Sequence, residues 1–373
     1  MKIINLSSIA NPISISVQNP SRSDYDRFIG LEHYDSGEPV ITRFQGTELL
    51  TTSAKAFKAN DILIARRNVY LKRAGIVFFD GITSGDSIIL RLKEDTQKTI
   101  GYSREDLIRY IPFMLNSEHF WIYANKHADG MNSKRISKDT LLEYEFELPS
   151  IDEMRDISDK LWAAYRLKEA YKKLLVTTDE MVKSQFIEMY YNTHNKQTLE
   201  SVCPIMSKGI TPKYVESSSV LVINQACIHW DGQRLGNIKY HNEEIPVRKR
   251  ILESGDVLLN ATGNGTLGRC CVFICPSDNN TYINDGHVIA LSTDRAVILP
   301  EVLNTYLSLN DTQAEIYRQY VTGSTNQVDI VFSDIKKMKV PVPSMDEQIL
   351  FVEVLKQADK SKSVIQKALV YLN

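Results

Sequence analysis

Leu148-Pro149-Ser150-Ile151-Asp152-Glu153-Met154 decides the fold, because the chain writes it twice. Val342-Pro343-Ser344-Met345-Asp346-Glu347-Gln348 stands 194 residues further on. Upstream, Ala59-Asn60-Asp61-Ile62-Leu63-Ile64-Ala65 echoes Ser254-Gly255-Asp256-Val257-Leu258-Leu259-Asn260 at an offset of 195. Gly130-Met131-Asn132-Ser133 answers Gly323-Ser324-Thr325-Asn326 at 193. Offsets above half the chain length mean two copies of one module, each followed by the same kind of segment.

Those segments read as helices. Ser150 with Glu153, and Ser344 with Glu347, form S-x-x-E capping boxes, in which serine oxygen and glutamate satisfy each other's backbone N–H. Asp152 and Asp346 add negative charge where the helix dipole favours it. The apolar spacing then repeats. Ile157, Leu161, Ala164, Tyr171 and Leu175 match Phe351, Leu355, Ala358, Ile365 and Leu369, each pair 194 apart. Steps of 4, 3, 7 and 4 fit a heptad seam, interrupted at matching places by Lys168 and Lys362. Each helix could simply cover its own module. The coiled-coil period favours the two packing on each other, antiparallel, about a pseudo-twofold axis.

The modules carry short β-type runs, such as Ile62-Leu63-Ile64-Ala65 and Val257-Leu258-Leu259, with helical stretches near Arg104 to Leu115 and Pro300 to Tyr320. Each is therefore predicted to be α+β. The expected boundaries are a first module over 1–149, a helix over 150–191, a second module over 192–343 and a second helix over 344–373.

Composition narrows the function. The 373 residues are 43% hydrophobic and 24% charged, which excludes fibrous and disordered classes. No run approaches the length that spans a bilayer, and Met1-Lys2-Ile3-Ile4-Asn5 opens no signal sequence, so a cytoplasmic location is expected. A net charge of -2 excludes a strongly basic coat but not local basic patches. Five cysteines are an odd number for a disulfide framework; Cys270 and Cys271, in an apolar run, read as buried thiols, and no metal site is expected. Catalytic signatures are missing. There is no phosphate loop and no nucleophile elbow, and Gly263-Asn264-Gly265-Thr266-Leu267-Gly268 has no βαβ setting. No Asn-Pro-Pro-aromatic motif is present. The chain is expected to bind rather than catalyse.

With these features in hand, the sequence resembles the specificity (S) subunits of type I restriction–modification systems. Thr322-Gly323-Ser324-Thr325-Asn326, followed by Ile335 to Gln348, looks like that family's run from a TGST-like turn into its helix start. Copy one departs, with Asp129-Gly130-Met131-Asn132 at the turn and Met154 in place of the glutamine. The resemblance implies two target recognition domains separated by two long antiparallel coiled-coil-like helices. Each domain would read one half of a split, asymmetric double-stranded DNA site. The helices would set the spacing and dock two methyltransferase (modification) subunits, which use S-adenosylmethionine, and restriction subunits can join. This chain itself would hold no cofactor, meet no membrane and catalyse nothing. Two other readings stay open: a stand-alone DNA-modifying or DNA-cleaving enzyme with two recognition modules, and a scaffold whose modules bind something other than DNA.

Under this resemblance the candidate DNA contacts lie between β-type runs. In copy one they are Arg66, Arg67, Asn68, Tyr70, Lys72 and Arg73, with Lys134 and Arg135 as a second group. Arg and Asn suit bidentate base reading, and Lys, Tyr and Asn can grip phosphate. In copy two they are Asn264, Thr266 and Arg269, with Ser324, Thr325, Asn326 and Gln327.

Overall fold

Four apolar residues in a row, such as Ile62 to Ala65, suit a strand covered on both faces, and all four are buried in a sheet. The structure, a computed structural model, describes residues 2–131, 133–191, 193–324 and 327–372, without the side chains of Tyr191, Ser324 and Gln327. The chain is α+β and divides into two compact units, Met1–Glu169 and Ala170–Asn373. The division falls inside the first long helix, Ile151–Phe186.

In unit 1, strand Ile62–Ala65 lies between Ala74–Ile76 and Ser87–Leu92, and Ala10–Ile13 pairs on the far side of the latter, all antiparallel. Helices Arg104–Met114 and Glu118–Lys126 cover this sheet, burying Leu107, Ile111, Phe120 and Trp121 in one core with Ile64, Ile88 and Leu90. A second sheet contains Phe28–Ile29 running parallel to Gly81–Thr83, with Ala54–Phe57 and Ile15–Val17 added on the Gly81–Thr83 side.

In unit 2 the first sheet recurs strand for strand, as Ile205–Lys208, Val288–Ser292, Val257–Asn260 and Cys270–Val272. The parallel pair recurs as Val220–Ile223 with Thr281–Asn284. Its flank does not: Lys239–His241 joins on the Val220–Ile223 side. The upstream echo in the sequence is a turn. Asp61 and Asp256 are both buried and each accepts the backbone N–H three residues earlier, at 2.8 and 2.9 Å. Each is neutralised by an arginine from a different place, Arg91 on a strand and Arg250 in the preceding loop.

Both capping boxes form. Ser150 N–H donates to Glu153 at 3.0 Å, and Ser344 N–H donates to Glu347 at 2.9 Å. The position after the box is buried in both helices. Met154 is fully buried in the unit 1 core, whereas Gln348 accepts from Leu299 N–H and donates to the Val297 and Pro343 carbonyls. The departure of copy one from the glutamine thus replaces three hydrogen bonds by apolar packing.

The seam needs a correction in unit 1. Ile157 and Leu161 are 38% and 36% exposed, and Ala164 is half-buried. The stripe that faces the module is instead Met154, Ser158, Trp162 and Tyr165. Trp162 donates its indole N–H to the Arg109 carbonyl at 2.9 Å and packs edge-on to Phe113. Arg155 grips Asp106 with two hydrogen bonds on the same side. Lys168 pairs with Glu38 at 2.9 Å, so this seam interruption is an ion pair to the module.

In unit 2 the remainder of the first long helix packs antiparallel on the second, Met345–Leu372. Phe351 sits against Phe186 and Tyr190, while Lys362, eleven residues on, reaches back to Asp179 at 2.9 Å. Phe351, Ala358 and Ile365 are buried at heptad spacing, and Leu355 and Leu369 are half-buried. Opposite them Tyr171, Leu175 and Thr178 are half-buried and Val182 and Phe186 buried. Tyr190 donates to the Glu347 carbonyl, and burial pushes its pKa up to about 12.

Cys203, Cys227, Cys270 and Cys271 are buried and Cys275 is half-buried. Burial pushes the Cys203 and Cys271 thiols up to about 12. The thiolate is the reactive form. A disulfide-exchange reagent should therefore titrate Cys275 alone in the native chain and all five thiols after denaturation. Rapid titration of a second native thiol would mean that the segment holding it opens readily. Among the described residues no helix is long and apolar enough to cross a membrane.

Candidate nucleic-acid interface

The loop leaving strand Ile62–Ala65 is held by main-chain hydrogen bonds. Ala65 N–H donates to the Arg73 carbonyl at 2.9 Å, Arg66 N–H to Asp86 at 2.9 Å, and Ile136 N–H to Arg66 at 3.0 Å. Asn68 N–H donates to Lys134 at 2.8 Å, and Arg67 bridges Arg135. The two candidate groups of copy one, more than sixty residues apart, therefore lie side by side. Ser133 joins them: its hydroxyl accepts from Arg67 Nε at 2.9 Å and donates to Asn68 Oδ1 at 3.2 Å.

The candidates are not equivalent. Arg73 donates one guanidinium nitrogen to the Leu31 carbonyl and another to Arg67, both at 3.0 Å, and burial lowers its pKa. It closes the turn. Arg66 is half-buried, whereas Arg67, Lys134 and Arg135 are exposed. Asp86 lies 3.9 Å from Arg67 and 3.7 Å from Arg135, leaving a local surplus of positive charge. Between Asn68 and Lys72 the chain makes a tight turn, Val69–Leu71, with Val69 buried and Tyr70 60% exposed. Asn68 (φ 54°) and Lys72 (φ 50°) are both left-handed. That conformation costs lysine about 1–2 kcal/mol, while asparagine adopts it far more readily. Lys72 pairs with Glu118 at 3.5 Å on the surface. Such a pair returns only about 0–1 kcal/mol, which does not offset the strain.

Unit 2 builds the same frame. Asn260 N–H donates to Arg269, Ala261 N–H to His287, and Ile330 N–H to Ala261, each at 2.8 Å. Thr262 bridges Asp329 as Arg67 bridges Arg135. Its turn is one residue longer than Asn68–Lys72, and its three left-handed positions are Gly263 (φ 97°), Gly265 (φ 78°) and Gly268 (φ 84°), where no Cβ is strained. Arg269 closes the turn as Arg73 does, by donating to the Gly265 carbonyl at 3.0 Å. Thr266 is used internally, 3.1 Å from the Thr262 carbonyl, while Asn264 is exposed.

Beside this turn lies the hairpin Val321–Ser324 with Gln327–Ile330. Thr325 and Asn326 lie outside the described residues, as do Asn132 and the side chains of Ser324 and Gln327. Residues the sequence reading missed complete the surface. Lys208 is neutralised by Asp329, with both carboxylate oxygens within 2.9 Å, and Thr262 meets His287 at 2.9 Å. The positions Asp86 and His287 were recoverable in principle, because both immediately precede matching strands of the repeat. Chemically, the unit 1 surface offers guanidinium and ammonium groups suited to phosphate and guanine. The unit 2 surface offers amides, hydroxyls and an imidazole.

No protein-family model matches the chain, and no curated protein matches it. Solved structures do. One similar chain belongs to a structure of complex assembly and conformational transition in the type I restriction–modification system; it covers 100% of this chain and 94% of its own length at 16% identity, with a TM-score of 0.59. The type I restriction–modification system S subunit from M. genitalium covers 100% of this chain and 92% of its own length at 12% identity, with a TM-score of 0.52. The chain has the fold of a type I restriction–modification S subunit. Both similarities run over the full chain, so both units and both long helices fall within that fold.

Proposed function

We propose that the chain is the DNA sequence-specificity subunit of a type I restriction–modification complex. Residues 1–149 and 192–343 are its target recognition domains, and the helices over 150–191 and 344–373 form an antiparallel, pseudo-twofold pair. Each domain reads one half of a split, asymmetric double-stranded site. The helix pair sets the spacing and docks two methyltransferase subunits, to which S-adenosylmethionine belongs; restriction subunits join them in the full complex. The chain contributes recognition, not catalysis, and works in the cytoplasm.

One observation carries this reading. Two turns share three framing main-chain hydrogen bonds but present different side chains. Duplicated framing with divergent chemistry is what reading two unlike half-sites requires, since base edges are distinguished by the groups set against them. Coexpression with a methyltransferase partner, followed by sequencing of methylated adenines, tests it. The expected product is a bipartite site with two unlike halves and an unread gap. A continuous or palindromic site overturns the proposal.

A further inference from the structure

We propose that the turn Asn68–Lys72 is the backbone-contact arm of unit 1, which sets the register of its half-site, with Tyr70 packed on a sugar and the Lys72 ammonium on a neighbouring phosphate. The inference rests on the functional reading above and deepens it. Its ground is the internal comparison. Unit 2 closes the same frame with a turn one residue longer, with glycine at every left-handed position and no aromatic residue between them. The frame can therefore close without a side chain at the last left-handed position and without a ring in the turn. Unit 1 nevertheless holds a lysine in a strained conformation and a tyrosine that is 60% exposed. Buried Val69 anchors the turn, so Tyr70 and Lys72 are displayed from a fixed base. Arg67, Lys134 and Arg135 flank the turn. A ring beside several cations matches a ligand with apolar sugar faces between anions, as the backbone of duplex DNA has.

The test uses the full chain assembled with methyltransferase subunits and a duplex carrying its methylated site. Tyr70→Ala should weaken binding roughly tenfold, the loss of one packed interface ring, with an unchanged melting temperature. Tyr70→Phe should bind as wild type does. At position 72 the two readouts should separate. Lys72→Gly should melt at or above wild type and Lys72→Ala below Lys72→Gly, because only glycine relieves the left-handed strain. Both should lose the same affinity, with the salt slope shallower by about 1. Indifference of binding to Tyr70→Ala and to both Lys72 variants overturns the inference and leaves the functional reading standing. A wild-type assembly that binds no duplex overturns both. A Tyr70→Ala assembly that binds DNA normally but no longer retains its methyltransferase makes the arm a protein contact, which also overturns the inference.

Discussion

Reversing Arg67, Lys134 and Arg135 together to glutamate should abolish recognition of one half-site while the chain stays folded. All three side chains are exposed and converge on one turn. At roughly 1 kcal/mol per lost charged contact, the triple variant loses about 3 kcal/mol, or about a hundredfold in affinity. The slope of log affinity against log salt should fall by about 3 × 0.9. Methylation mapping would then show the second half-site still read and the first degenerate. Wild-type methylation and salt response in the triple variant would remove this surface from the recognition machinery. Arg73 does not belong in the set, although it sits in the same run of cations. Its guanidinium holds two carbonyls, so Arg73→Glu would break the turn rather than test the contact.

Phe351→Ala should destabilise unit 2 by about 3–5 kcal/mol, the range for emptying a buried aromatic site. The ring is fully buried, with its centroid 5.1 Å from Phe186 and 5.6 Å from Tyr190. Its sequence counterpart is Ile157, 194 residues earlier and 38% exposed. Ile157→Ala should cost under about 1 kcal/mol, as surface substitutions do. Urea unfolding of both variants measures the difference directly. Equal losses would mean that the two helices bury the same stripe after all.

That contrast marks where the sequence reading held and where it did not. The capping boxes were legible because they are local: serine and glutamate three residues apart meet whatever the rest of the chain does. The first sheet was legible in part for the same reason, since its strands are unbroken apolar runs. The helix stripe in unit 1 was not. Heptad counting follows aliphatic residues, and here the burying contacts come from Trp162, Tyr165 and the small Ser158, which only tertiary structure selects. In the candidate interface, the cationic run at Arg66 to Arg73 could be read as one cluster. Its division into a closing arginine, a strained lysine and a displayed tyrosine depends on carbonyls contributed from Leu31 and Lys134. The divergent flank of the second sheet left no periodic signal, because strands of three or four residues are too short to carry one.

A turn fixed by its own main chain can change its display without being rebuilt. Lineages carrying such a frame can explore new side chains one substitution at a time, beginning from glycine. Each departure at a left-handed site draws about 1–2 kcal/mol from a domain whose whole margin is about 5–15 kcal/mol. Thermodynamic headroom therefore limits how fast a reading surface can drift. Unit 1, with Lys72 at such a site, has used more of that headroom there than unit 2, where Gly268 stands in the matching place. Further evolution of the first half-site should depend on compensating stabilisation elsewhere in the unit, whereas at Gly263 and Gly268 of unit 2 a new side chain would first have to displace Thr266 and Gln313.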